Sequence, residues 1–304
     1  MRVKTTAVAL AVIAALALAG CSASTSPAGP ASSGGKIRVV ASTDVYGDIA
    51  KQIGGSRVTV DSIINDPSQD PHSYEADAQV QLALSKAQVV IENGGGYDSF
   101  VDTLLKGANN SGATRLNVAT ISGRDLAPTT GDFNEHLWFD FPTVTKLADQ
   151  LASTFTKLDA PGAATFSVNA KKFDDAIAVL MTDEAALKAV HSGEGAAITE
   201  AVPLYLLDAA GLVDKTPVKF SRAIEQGTDV PPLVLRQTLA LFTDHTVKLL
   251  AYNEQTSSPE TTQVLAAAKA AGIPVVAVRE TLPRGKDYVQ WMTDVLAALK
   301  SALK

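Results

Sequence analysis

The side chains of this 304-residue sequence with the best-defined chemistry are four histidines, His72, His136, His191 and His245, and one cysteine, Cys21. His72 stands in Asp70-Pro71-His72-Ser73-Tyr74-Glu75, a stretch that follows an expected strand and precedes an expected helix. In open α/β sheets, ligands bind in the crevice beyond the carboxyl ends of the strands. The position suits a metal ligand, although a lone loop histidine is more often a solvated one. His136 stands in Asn134-Glu135-His136-Leu137-Trp138-Phe139-Asp140-Phe141-Pro142. Large apolar neighbours suit a structural, hydrogen-bonded histidine. A metal ligand there needs its other ring nitrogen fixed by a carboxylate or carbonyl, and Asp140 is at hand. His191 falls at the end of a long helical pattern, where positive charge is favourable, and His245, in Thr243-Asp244-His245-Thr246, reads as a turn residue. Glycines 94 to 96 lack the Lys-Ser/Thr partner of a nucleotide loop and read as a turn bringing backbone close to a site. No His-Glu-x-x-His is present, nor any Ser or Cys nucleophile framed by a base, which argues against a metal hydrolase.

The elements that must position these residues alternate between short β-branched runs and helical patterns, which points to α/β architecture. Residues 37–40, 58–64, 89–91 and 114–118 read as strands of the first half, with helices over 46–53 and 80–87. The second half repeats the rhythm with strands at 197–198, 218–220, 247–252 and 275–278 and helices over 203–210 and 261–271. Between the halves, Pro161 suits a helix start, because its missing N–H costs nothing there. From it Phe166, Ala170, Phe173, Ile177, Leu180 and Leu187 recur at helical steps, one apolar stripe with no internal Gly or Pro. The expectation is two similar four-stranded α/β lobes, residues 36–160 and 191–304, bridged by one long rigid helix at 161–190.

The first residues bear on where the chain works. Arg2 and Lys4 precede an apolar run of thirteen residues, 7 to 19. A membrane-spanning helix needs about 20, so the run reads as the core of a secretory signal over residues 1–20. It ends in Leu18-Ala19-Gly20-Cys21, which resembles a lipobox whose cysteine becomes the lipid-modified first residue. A Ser/Ala/Pro/Gly tether over 21–35 then reads as disordered. Losing Arg2 and Lys4 with the signal takes the formal charge from −6 to −8. An acidic body argues against nucleic acid, whose affinity rests on Lys and Arg contacts to phosphate. With Cys21 taken by lipid, no disulfide or thiolate ligand remains.

Asp70-Pro71-His72, and His136-Leu137-Trp138-Phe139-Asp140-Phe141-Pro142 ahead of a helix, resemble the two histidine motifs of the zinc/manganese-binding receptors of bacterial ABC importers, the cluster A-I solute-binding family. That family's second motif reads roughly Asn-Pro-His-Val-Trp-Leu-Asp-Pro, so Glu135 and Phe141 depart from it. The likeness continues through Asn93-Gly94-Gly95-Gly96-Tyr97-Asp98, Tyr252-Asn253-Glu254-Gln255-Thr256 and Glu280-Thr281-Leu282-Pro283, then Tyr288 and Trp291-Met292. The resemblance implies two lobes joined by one helix, with a metal ion between them held by two ligands from each. It places the third ligand on Glu200, in Ala197-Ile198-Thr199-Glu200-Ala201-Val202-Pro203-Leu204-Tyr205, and the fourth on Glu280. Outside the resemblance, either glutamate reads equally as a carboxylate at a helix start.

The implied set of His72, His136, Glu200 and Glu280 joins two neutral imidazoles to two carboxylates, whose formal charge of −2 balances a divalent cation. Such N/O donors suit zinc, manganese or ferrous iron. Relatives specific for zinc often carry a histidine-rich loop before the second motif; residues 121–133 contain no histidine. The implied role is a lipid-anchored, monomeric, extracytoplasmic receptor delivering zinc or manganese to an ABC permease. A receptor for chelated iron or haem, or a surface adhesin on the same fold, is the alternative.

Overall fold

The computed structural model describes residues 35–66, 74, 78–129 and 132–304. The signal segment, Cys21, all but the last tether residue, and His72 lie outside these residues.

The β-branched runs of the first half form one parallel sheet of β1 (Ile37–Thr43), β2 (Val58–Ile64), β3 (Val89–Glu92) and β4 (Thr114–Asn117), in the order β2-β1-β3-β4. Every residue of β3 is buried, as a central parallel strand covered on both faces requires. Helices α1 (Asp44–Gly54), α2 (Ala78–Lys86), α3 (Phe100–Ala108) and α4 (Val118–Ser122) connect and follow these strands. The second half builds the same sheet from β5 (Gly195–Ile198), β6 (Val213–Asp214), β7 (Leu249–Asn253) and β8 (Val275–Val278), ordered β6-β5-β7-β8. Helices α7 (Leu204–Ala209), α8 (Val218–Glu225), α9 (Pro232–Thr243), α10 (Pro259–Ala270) and α11 (Tyr288–Ala302) surround it.

Two expectations of the sequence are corrected. Residues 218–220 begin α8 and are not a strand: Val218 is exposed, whereas Phe220, Ala223 and Ile224 are buried at helical spacing. Three residues are too few to separate a period of 2 from one of 3.6. The edge strand is instead the two-residue β6, too short to show any period. Val118 starts α4 rather than ending β4, because the Asn117 side chain caps that helix by accepting from the Thr120 N–H.

Two longer helices lead from the first half to the second. α5 (Phe141–Leu158) leads into a short turn containing Pro161, and α6 (Ala163–His191) follows as the expected linking helix. The stripe Phe166, Ala170, Phe173, Ile177, Leu180 and Leu187 is buried. It packs on α1 and α5 on one side and on α7 and α11 on the other. Burying its five large apolar side chains stabilises on the order of 10 kcal/mol relative to exposure. The stripe's missing place, four residues after Leu180, is filled by a buried Glu184. One apolar cluster runs through both halves, from Val39 and Ile91 through Trp138 and Phe173 to Ile198 and Trp291.

Candidate metal centre

In the first half, β3 ends at Glu92 and is followed by Asn93, where the chain turns sharply. Gly94, Gly95 and Gly96 take φ of 72, 67 and 105°, a region that side chains with a Cβ disfavour. Asp98 closes the turn by accepting the Asn93 and Gly94 N–H groups at 2.6 and 2.8 Å. The glycines form a turn, and it places the Tyr97 hydroxyl within reach of Glu280. Asn93 accepts the hydroxyl of Tyr46 and donates to the carbonyls of Gly94 at 2.9 Å and Glu135 at 3.0 Å. It therefore pins the loop that carries His136.

His136 is fully buried. Its Nδ1 lies 2.7 Å from Asn134 Oδ1, which also accepts the His136 backbone N–H at 3.1 Å. An amide oxygen only accepts, so Nδ1 carries the ring proton and Nε2 keeps a lone pair for a ligand role. The partner that orients the ring is thus Asn134, not Asp140. Asp140 is occupied by Arg124, through two N–H groups at 3.0 and 2.8 Å, and by the Thr143 hydroxyl. Trp138 packs against the imidazole edge-on at 5.2 Å between ring centres.

In the second half, Glu200 sits two residues past β5, Glu280 two residues past β8, and Asn253 closes β7. All three stand at carboxyl ends of adjacent parallel strands. The Asn253 amide donates to Glu200 Oε2 at 2.6 Å and to Glu280 Oε1 at 3.0 Å. The Tyr97 hydroxyl donates across from the first half to Glu280 Oε2 at 3.2 Å. His136 Nε2 is 3.8 Å from that same oxygen. Glu200 and Glu280 are 2% and 0% exposed, too deep for two unpaired negative charges to persist without cost. Burial, and then the neighbouring charge of Glu280, push the Glu200 carboxyl up to about 8. At neutral pH and without a cation it keeps its proton.

The loop after Glu280 is tied back onto the first half. Asp44 and Asp48 of α1 accept the backbone N–H groups of Leu282 at 3.1 Å and Tyr288 at 2.9 Å. The Tyr288 hydroxyl donates to the Trp138 carbonyl at 2.6 Å.

Of the residues expected to bind metal, the structure brings together His136 and Glu280, and Asn253 links Glu200 to that pair; His72 lies outside the described residues. Two carboxylates were not anticipated. Glu135 and Glu225 each place an oxygen so that these oxygens and a ring nitrogen of His136 lie within 4.8 Å of one another. Glu135 carried a signal, a charged residue beside a candidate ligand. Glu225 carried none, because only the folding of α8 brings its last residue to the site.

Residues 39–302 match the sequence model of a family described as ZnuA, zinc-uptake complex component A, periplasmic. The chain is 29% identical over 166 residues to a manganese-binding lipoprotein, MntA, of Bacillus subtilis, covering 54% of this chain and 53% of that one. It is 27% identical over 182 residues to a manganese ABC transporter substrate-binding lipoprotein, scaA, of Streptococcus gordonii, covering 56% and 57%. The aligned region thus spans about half the length of these relatives. Among solved structures, a crystal structure of ZnuA superposes with a TM-score of 0.70 at 19% identity, over 88% of this chain and 98% of that one. A mutant of the laminin-binding adhesin Lmb of Streptococcus agalactiae gives 0.74 at 19% identity, over 88% and 100%. At such identity the likeness speaks for the fold: paired α/β units joined by a long helix.

Proposed function

Because this chain belongs to the family of the periplasmic zinc-uptake complex component A, we propose that it is an extracytoplasmic receptor that captures a divalent metal ion, zinc or manganese, and delivers it to the permease of an ABC importer. The observation that carries this reading is the meeting of His136 from one half with Glu280 and Glu200 from the other, all buried, around the Asn253 amide. His136 Nε2 and the two carboxylates are the ligands, with His72 as the fourth. The relatives named above are a manganese-binding lipoprotein and a manganese transporter's substrate-binding lipoprotein, which supports cargo binding rather than turnover. Cys21, at the end of a signal-like segment, is the site of lipid attachment that holds the receptor at the membrane face.

The residues divide the work of capture. Asn134 fixes the imidazole tautomer, so that Nε2 meets the ion without first losing a proton. Asn253 holds one oxygen of each glutamate and leaves Glu280 Oε2 facing His136. Glu200 gives up its proton as the ion arrives, because a cation offsets the burial and repulsion that retained it. The long α6 and the ties from Asp44 and Asp48 to the Glu280 loop restrict wide hinge bending, so capture and release proceed by small shifts of ligand loops.

Calorimetric titration with Mn²⁺ and Zn²⁺ tests the reading. The protein should take up one equivalent of either ion, and His136→Ala should lose about 100-fold in affinity or more while staying folded. Unfolding of that variant would mark His136 as structural, and stoichiometric binding that survives it would remove the residue from the site. X-ray scattering should show ion-free and ion-bound profiles that superpose within error.

A further inference from the structure

The unanticipated carboxylates point beyond a single position for the ion. We infer that Glu135 and Glu225, together with the His136 imidazole, form a second, outer cation position, where a divalent ion still carrying part of its water shell is held before it passes to Glu200 and Glu280. The inference rests on the receptor reading above and adds to it a step of capture.

Three independent features support it. The first is donor geometry: an imidazole nitrogen and two carboxylate oxygens lie within 4.8 Å of one another. One nitrogen and two oxygens in mutual reach are a familiar set for zinc or manganese. The second is access. His136 is buried, whereas Glu135 and Glu225 are half-buried and line a cavity of about 480 Å³ between the loop before His136 and α8. An ion there can keep waters, which the fully buried pair around Asn253 does not allow. The third is charge. Four carboxylates line the cavity, Asp132, Glu135, Asp214 and Glu225, against one guanidinium, Arg222, which is paired with Asp132 at the rim. A cleft lined by one sign of charge concentrates counter-ions and speeds their arrival.

The two positions share one residue. His136 Nε2 faces Glu280 at 3.8 Å, and the same ring faces Glu135 and Glu225. Both acidic pairs therefore lie about one imidazole, whose Nε2, free of the ring proton, is the nitrogen that serves an ion at either position. Dehydration of a divalent cation is costly, and dividing it between a half-exposed and a fully buried position lowers the barrier of each step. Sequence gives this pairing no motif, since Glu135 precedes α5 and Glu225 ends α8, ninety residues later along the chain.

The experiment uses the full chain with Mn²⁺ as probe, followed by electron paramagnetic resonance and calorimetry. The Glu200→Gln/Glu280→Gln protein should still hold one equivalent of Mn²⁺, about 100-fold more weakly than the parent. Adding Glu135→Gln/Glu225→Gln should weaken that residual binding at least tenfold further. Residual binding that ignores the second pair, or no residual binding in a folded double variant, would overturn the outer position while leaving the receptor reading intact. A parent protein that binds no divalent ion would sink both. Should the buried double variant fail to fold, Glu135→Gln/Glu225→Gln in the parent answers alone: stopped-flow capture should slow about tenfold, and an unchanged rate would refute the proposal.

Discussion

The two halves of this molecule are built on one plan and put it to different uses. Strands β3 and β7 occupy the same place in their sheets, and the pairings of Ile91 with Ala41 and of Ala251 with Ile198 set Asn93 equivalent to Asn253. Both asparagines are fully buried at the carboxyl end of a central strand. Asn93 spends its amide on backbone carbonyls and so positions a loop that carries a histidine. Asn253 spends its amide on two carboxylates directly. By the same register Glu200 matches Thr43 and Glu280 matches Thr120, neither of which carries charge. The duplicated scaffold thus positions the His136 loop on one side and two buried carboxyls just past strand ends on the other. The charge sits where backbone position is best defined, which suits a site that must bury it.

Replacing each asparagine breaks the comparison most directly. Asn253→Ala leaves two buried carboxyls without their shared donor and should weaken ion binding about 10- to 100-fold, the usual effect of losing a group that orients ligands. Asn93→Ala removes a partner from backbone groups and should appear chiefly as about 1–3 kcal/mol of lost stability, read by urea denaturation. Equal losses of affinity from both would show that the halves are not divided in this way.

The protonation of Glu200 gives the second test. Its folded value, about 8, stands above the unfolded one of 4.5. The ion-free folded state therefore binds a proton that the unfolded state releases, a contribution to stability present below 4.5 and lost as pH rises through about 8. Ion-free protein should become less stable across that window, and a saturating ion should reverse the trend. Calorimetry at pH 7 in two buffers of different ionisation enthalpy should show about one proton released per ion. Glu200→Gln should abolish that release; a release unchanged in the variant would place the proton elsewhere.

How much of this was legible beforehand follows the physics of each signal. Clear hydrophobic patterns announced themselves: the α6 stripe, the fully buried β3 and the part-exposed strands β2 and β8 stand where the pattern put them. β6 and the start of α8 did not, because two or three residues carry no period and only neighbours decide their state. At the centre, motif resemblance singled out His136, Glu200 and Glu280 as candidates, and spacing alone left each open. Asn134 as the partner of His136 was missed in favour of Asp140, since nothing in sequence shows that Arg124 claims that carboxylate. Glu225 and the pivot role of Asn253 depend on contacts between residues far apart in the chain, which no local pattern encodes.

Glu184 offers a third, smaller test, at the point where α6 crosses from one half to the other. The stripe that is apolar along the first half meets this carboxyl on the second, 5% exposed. Burial, and then the charge of Asp140, push it up to about 8. Like Glu200, it favours the folded state below 4.5 and ceases to do so as pH rises through 8. Glu184→Leu should be close to neutral at pH 5 and stabilise by about 1–3 kcal/mol at pH 9, seen as a higher melting temperature. No gain at pH 9 would mean that the ionised carboxyl finds a partner there.

The turns that follow the two asparagines close the comparison with the smallest effect. After Asn93 come Gly94, Gly95 and Gly96, all at positive φ; after Asn253 come Glu254, Gln255 and Thr256, none of which is. The first turn thus depends on glycine and the second does not, because Gln255 and Thr256 side chains serve the site through Glu280 and Asn253. At Gly96 an added Cβ meets nothing within 4 Å, so Gly96→Ala isolates the backbone cost of φ 105°, about 1–2 kcal/mol. At Gly95 the Cβ would come within 2.3 Å of the Phe133 ring. Gly95→Ala adds displacement of that ring, which lines the acidic cavity, and should cost more than Gly96→Ala. Denaturation midpoints for the two variants give the order. If Gly95→Ala is the milder, Phe133 yields freely, and the wall between the cavity and the glycine turn is softer than its packing implies.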